Sequence, residues 1–320
     1  MKRLLSMACA GGIALMSVGY AQAQDYPAKP IRWVLGFPGG GTSDILARAI
    51  GVKMTESIRQ QVVIDNRPGA SGIIANTLVA QGPTDGYTML LVSSTFANLI
   101  NLGKKVPYDP NSLVPVCFIA SVPNILSVHP SLPVKNVKDL IALAKKKPGE
   151  INYGTGGAGT GPHLATELFR LMTGVNVVHI PYKGTPPAVN DLIAGRVQMM
   201  FALSPVAMPH VKNGKLRPLA VSGSRRLAEL PDTPLVADTV PGYAATVWYG
   251  VLVARGTPQP MIDTLNREIS KAANAPAVSE RLAALGFQVE TGSADAFRKY
   301  IAAETKKWGK VIAEAKIKTD

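Results

Sequence analysis

Two glycine-rich segments carry the residues best suited to chemistry in this chain. The first reads Phe37-Pro38-Gly39-Gly40-Gly41-Thr42-Ser43-Asp44 and follows the strand-like run 31–36. The second reads Gly154-Thr155-Gly156-Gly157-Ala158-Gly159-Thr160-Gly161-Pro162-His163 and follows 151–153. Each lies where a strand should hand over to a helix. A helix start leaves about four backbone N–H groups without an intrahelical partner, and the macrodipole adds roughly half a positive charge there. Glycine lets a ligand approach that backbone closely. The pair points to a site that holds an anion through backbone amides, with Thr42, Ser43, Thr155 and Thr160 adding hydroxyls. His163 reads either as a switchable donor or as a structural residue at the helix start. Asp44 conflicts with an anion site. It either turns back to cap its own helix or receives a ligand ammonium. Each turn taken alone is also explained as a tight connection between strand and helix.

Other constellations are weaker or missing. Gly154-x-Gly156-x-x-Gly159 matches the dinucleotide fingerprint formally, but the next strand ends in His179-Ile180, with no acidic residue for a ribose hydroxyl. Gly156-x-x-x-x-Gly161 is followed by Pro162-His163, where a phosphate loop needs Lys and Ser or Thr. There is no Gly-x-Ser-x-Gly elbow. The four histidines, His129, His163, His179 and His210, have no metal-ligand spacing. Ser43 and Ser204 have no base readable from the sequence. These gaps speak against an enzyme and against a metal or nucleotide cofactor.

The segments that must position the two turns alternate between strand and helix patterns. Strands are expected over 31–36, 61–65 and 87–92, with helices over 45–57 and 73–81 between them. The rhythm resumes with helices over 137–147, 165–172 and 188–194 and strands over 151–153, 177–180, 197–202 and 219–222. A strand over 247–254 and helices over 258–274 and 294–318 close the chain. This order predicts an α/β protein whose mostly parallel sheets are flanked by helices. The extended run 117–129 and the proline-broken stretch 222–234 read as crossings between two domains. Residues 24–122 plus 228–320 would form the first domain and 123–227 the second, with the cleft between them.

Compartment and partners follow from the ends and the charge. Met1-Lys2-Arg3, the apolar run 4–18 and Ala21-Gln22-Ala23 have the order of a secretory signal cleaved after Ala23. A buried or membrane-spanning N-terminal helix is the alternative. Removing Lys2 and Arg3 leaves 32 basic and 21 acidic residues, a net charge of +11. The basic runs 145–147 and 306–307 lack interleaved aromatics, so solvated helix faces explain them better than nucleic acid does. A mild field favouring small anions remains. Only Cys117 follows the signal, within an apolar run, so no internal disulfide is available and a buried thiol is expected.

The chain resembles the substrate-binding receptors of tripartite tricarboxylate transporters, the TctC or Bug receptors. The resemblance covers essentially all of the chain after the signal. Besides the two glycine-rich turns, it rests on Asn66-Arg67-Pro68-Gly69-Ala70-Ser71-Gly72, Asp85-Gly86-Tyr87-Thr88, His179-Ile180-Pro181-Tyr182-Lys183-Gly184, Leu230-Pro231-Asp232-Thr233-Pro234 and Trp248-Tyr249-Gly250, in that order. It implies a two-domain periplasmic binding protein of type II-like architecture that closes on a small organic carboxylate, as a monomer and without cofactor or metal. The loop from Phe37 through Gly40, Gly41, Thr42 and Ser43 to Asp44 would grip the carboxylate from one side. Thr155, Gly156, Gly159, Thr160 and His163 would grip it from the other. Ser94, Thr95, Phe201 and Ser204, at strand ends, would contact the rest of the ligand. Membrane subunits of the transporter would be its partners, or a membrane sensor in an alternative reading, with a periplasmic enzyme on a carboxylate as a third. Gln198 stands where the family more often has an acidic residue, and Thr160 where it often has Ser. Which carboxylate is bound is not legible.

Overall fold

The computed structural model describes residues 26–103, 105–314 and 317. The expected export signal over 1–23 and its cleavage after Ala23 lie outside the described residues. Among the described residues, no helix is long and apolar enough to cross a membrane.

The first lobe begins with β1 (Ile31–Leu35), α1 (Thr42–Ile58), β2 (Val62–Asn66), α2 (Ile73–Ala80) and β3 (Thr88–Ser93). β1 pairs in parallel with both β2 and β3. Leu46, Ile50 and Met54 recur every fourth residue on α1 and are buried, as the helix period requires. β3 runs without a turn into α3 (Ser94–Asn101), a helix the sequence pattern did not announce.

β4 (Leu113–Val128) is the crossing expected over 117–129. At about 3.3 Å per residue its 16 residues span roughly 50 Å, enough to run through both lobes. Pro115 lies at a register shift, where a missing N–H costs least, and Pro123 lies at the hand-over between lobes.

The second lobe contains α4 (Val137–Lys146), β5 (Asn152–Thr155), α5 (Gly161–Thr173), β6 (Val178–Pro181), α6 (Thr185–Ile193) and β7 (Met199–Leu203). α7 (Ser204–Lys212) and β8 (Arg217–Val221) follow. β9 (Thr246–Ala254) returns alongside β4. After it come α8 (Gln259–Ala273), α9 (Pro276–Ala283), β10 (Gln288–Val289) and α10 (Ala294–Glu314). α7 and α9 were not expected, and the expected end of the last helix at 318 lies outside the described residues.

The strand order is β2-β1-β3-β9-β4-β7-β5-β6, with β8 and β10 also pairing on β4. The expected parallel pairing holds for β1 with β2 and β3 and for β5 with β6 and β7. Around the crossing the pairs are antiparallel, because β4 leaves the first lobe and β9 comes back along it. Each lobe has its own buried cores, one set around Trp33, Ile50 and Val251 and another around Tyr153, Phe169 and Phe201. Val236, Val240, Tyr243 and Ala245, placed by the sequence reading on the returning side, pack into the second set. α10 straddles both: Phe297 packs against the first lobe, and Trp308 and Ile312 against the second.

Candidate ligand-binding site

Four helix N-termini meet at one cavity between the lobes. Residues of both lobes line the cavity, which is tight in this arrangement. Thr42 and Ser43 open α1, Thr95 sits in the first turn of α3, Gly161 and Pro162 open α5, and Thr185 and Pro186 open α6. The first-turn amides of such ends have no partner within their helix. No lining residue carries a formal charge. Favourable potential for an anion therefore comes from dipoles and hydroxyls alone.

Several polar atoms here are left without partners. Thr42 Oγ1 is buried with no hydrogen bond, and so is Ser94 Oγ, next to the opening of α5. A buried unsatisfied hydroxyl costs about 1–3 kcal/mol, which a ligand acceptor would recover. Burial raises the Tyr249 phenol above its ordinary value, although the neighbouring Thr42 and Ser43 hydroxyls oppose the shift, so it stays protonated and available as a donor. Val247, Leu203, Phe37 and prolines supply apolar walls for a hydrocarbon body.

Of the expected contacts, Phe37, Gly41, Thr42, Ser43, Thr95, Gly156 and Thr160 line this cavity. The others are placed elsewhere. Asp44 is not the N-cap, which is Gly41; it turns back so that Oδ2 accepts from Gly40 N at 3.0 Å and Arg48 Nε at 2.9 Å. This uses the Gly40 amide and gives Asp44 a structural contact at the helix start, while its Oδ1 is buried without a partner. Burial pushes the Asp44 carboxyl up, but the Arg48 guanidinium and the Gly40 N–H outweigh it and hold it below the usual range. Thr155 Oγ1 lies 2.6 Å from His179 Nε2 and accepts from Gly157 N at 3.2 Å.

His163 is not a switchable donor. Its Nδ1 accepts from Gly159 N at 3.0 Å, so the Gly159 amide is also used inside the loop. Burial, reinforced by His179 and Arg170, lowers the His163 pKa to about 3 and keeps the ring neutral. The ring stacks on His179 with centroids 4.2 Å apart, and His179 in turn stacks on Tyr153. Ser94 lies just outside the wall, between the lining residues Ser93 and Thr95. Phe201 is fully buried against Phe169 and Tyr243, two residues and about 6–7 Å along β7 from the lining Leu203. Ser204 packs on Gly286, its Oγ 3.5 Å from that carbonyl oxygen.

The sequence reading missed Thr185, Pro186, Val247 and Tyr249. Gly184-Thr185-Pro186-Pro187, directly after a strand, was the usable signal for a further helix start, since proline favours the first helical positions. Gln198, the departure from the family pattern, ties strand ends together: Oε1 accepts from Asn152 N and Nε2 donates to Gly195 O. A carboxylate there could not donate the second bond.

The profile of the tripartite tricarboxylate transporter family receptors matches residues 46–317. The chain belongs to this family. Among curated relatives of the receptor, protein BugT of Bordetella pertussis is 38% identical over 327 residues, covering 99% of each chain. Among solved structures, an R. palustris protein with adipate superposes with a TM-score of 0.90 at 38% identity, covering 92% of this receptor and 100% of that chain. MatC from Rhodopseudomonas palustris with bound malate gives 0.85 at 27% identity, covering 90% and 100%. The family is one of periplasmic solute-binding receptors, and these neighbours carry carboxylates.

Proposed function

We propose that this receptor is exported to the periplasm, captures a small organic carboxylate between its lobes and delivers it, as a monomer and without turnover, to transporter membrane subunits. The observation that carries this reading is the convergence of four helix N-termini, with an unpartnered buried Thr42 hydroxyl, on an uncharged cavity. A carboxylate would accept from the amides of α1 and α5 and from the Thr42, Ser43 and Tyr249 hydroxyls, while the apolar walls take its carbon chain. Hydrogen bonds to a charged group contribute roughly 1.5–3 kcal/mol each. Four or five would exceed the ~8 kcal/mol of a micromolar complex, leaving a margin for lost freedom and closure. The neighbours with adipate and malate make dicarboxylates the first class to try.

The test is a thermal-shift screen of residues 24–320 against adipate, malate and mono-, tri- and aromatic carboxylates, confirmed by calorimetry and repeated with Thr42→Val. A raised midpoint with micromolar binding, unchanged ligand after incubation and weaker binding by Thr42→Val is the expected result. No shift with any carboxylate, or conversion of the bound one, would overturn the reading.

A further inference from the structure

The second glycine-rich turn is held from outside the cavity by side chains of the other lobe. Ser71 Oγ donates to Ala158 O at 2.9 Å, and Asn98 Nδ2 donates to Gly159 O at 3.0 Å. Thr160 Oγ1 donates to Gly157 O at 2.8 Å within the turn. Three consecutive carbonyls of one loop are thus each tied down by a side chain, two of them across the cleft. Neither Ser71 nor Asn98 lines the cavity. Asn98 is 1% exposed, so its bond is shielded from water. Ser71 lies in the Asn66–Gly72 motif, a segment the carboxylate reading leaves without a role. Ala70 and Ser71 there have φ of 47° and 53°, left-handed backbone that is uncommon for residues with a Cβ. The motif is anchored to β1 by Arg67 N donating to Leu35 O and Asn66 Nδ2 donating to Phe37 O.

We propose that Ser71 and Asn98 are positioning residues that form a ligand-independent latch. They draw the second turn against the first lobe, and they keep its carbonyls turned outward. A carbonyl oxygen facing a bound carboxylate would repel it, so fixing these carbonyls elsewhere keeps that repulsion out of the cavity. Both bonds are between protein groups alone. The latch therefore populates the closed arrangement before any ligand arrives and slows ligand escape afterwards, in the sense of a shifted two-state equilibrium.

The latch's effect on affinity rests on the carboxylate reading above, whereas its effect on closure does not. Spin labels on Val52→Cys in α1 and Lys145→Cys in α4 report the distance between lobes in the bare protein, with wild-type, Ser71→Ala, Asn98→Ala and doubly substituted backgrounds. An unchanged circular dichroism spectrum and cooperative melting identify folded variants, and Ser71→Gly replaces Ser71→Ala should the latter fail to fold. The expected result is a short-distance population in the wild-type background that shrinks in each variant and most in the double one. In stopped-flow measurements with adipate as the probe, dissociation should be about five- to tenfold faster per lost bond, with association unchanged. Wild-type protein with no short-distance population, or identical distributions in all backgrounds, overturns the latch. Failure of wild-type protein to bind adipate or any other carboxylate overturns the functional reading instead and leaves the distance measurement to decide the latch.

Discussion

A single imidazole shows how strongly the surroundings set a side chain's role in this receptor. His163 reads from the sequence either as a switchable donor or as a structural residue at the helix start. In the fold its Nδ1 already accepts from Gly159 N, and burial lowers its pKa to about 3. A histidine in an unfolded chain titrates near 6.5. The unfolded state therefore takes up a proton first as pH falls, and native stability declines. This contribution is fully present above about pH 6.5 and is lost progressively toward pH 3. Asp44, held below its ordinary value by Arg48 and Gly40, adds a further loss only below about pH 4. His163→Gln keeps an acceptor for Gly159 N without the titration. We expect its melting midpoint to fall less than the wild type's between pH 7 and pH 4.5, measured by calorimetry in matched buffers. Parallel curves for the two proteins would refute the assignment of this pH dependence to His163.

At the scale of elements, the first turn depends on how closely two backbones approach. A Cβ on Gly36, at the end of β1, would lie 2.7 Å from Gly72 Cα. That contact is with main chain, which cannot rotate away. Gly36→Ala must push the 66–72 segment outward, along with Ser71 and the cavity-lining Phe37. We expect a stability loss of about 1–3 kcal/mol in urea unfolding, as for other overpacked sites. Carboxylate affinity should fall with it, because the opening of α1 moves. Gly36→Ser should behave the same way, and a variant as stable as wild type would show that the two backbones are not in firm contact.

At the scale of the whole molecule, the proposed function requires the lobes to approach one another. Gly161, the first residue of α5, faces Val247 of the first lobe so closely that a Cβ would lie 2.1 Å from Val247 Cγ2. Gly161→Val should leave each lobe intact and hold them apart. Small-angle scattering with saturating adipate should then give the larger radius of gyration of an open receptor, while wild-type protein contracts. Val247→Ala in the same background should restore part of the contraction. Full contraction of Gly161→Val alone would mean that closure does not bring α5 against β9.

Much of this architecture was legible because local chemistry and tertiary placement agree. The apolar periods of α1 and α5, the strand–glycine–helix order and the long apolar run of β4 fix their own conformations through backbone sterics and one-sided burial. The openings of α1 and α5 were recognisable as helix ends for the same reason, since a helix end presents its amides wherever it is packed. α3 and α7 were hidden because each follows its strand with no turn residue between, and Pro209 lies inside α7. Only the tertiary structure decided which neighbours each polar group meets. It turned Asp44 toward Arg48, buried Phe201 among aromatics, spent the Gly40 and Gly159 amides inside their own loops, and brought Thr185, Val247 and Tyr249 to the cavity from distant parts of the chain. A conformational preference is written over a few adjacent residues. A hydrogen-bond partner or a cavity wall is chosen by long-range packing, which no local pattern specifies.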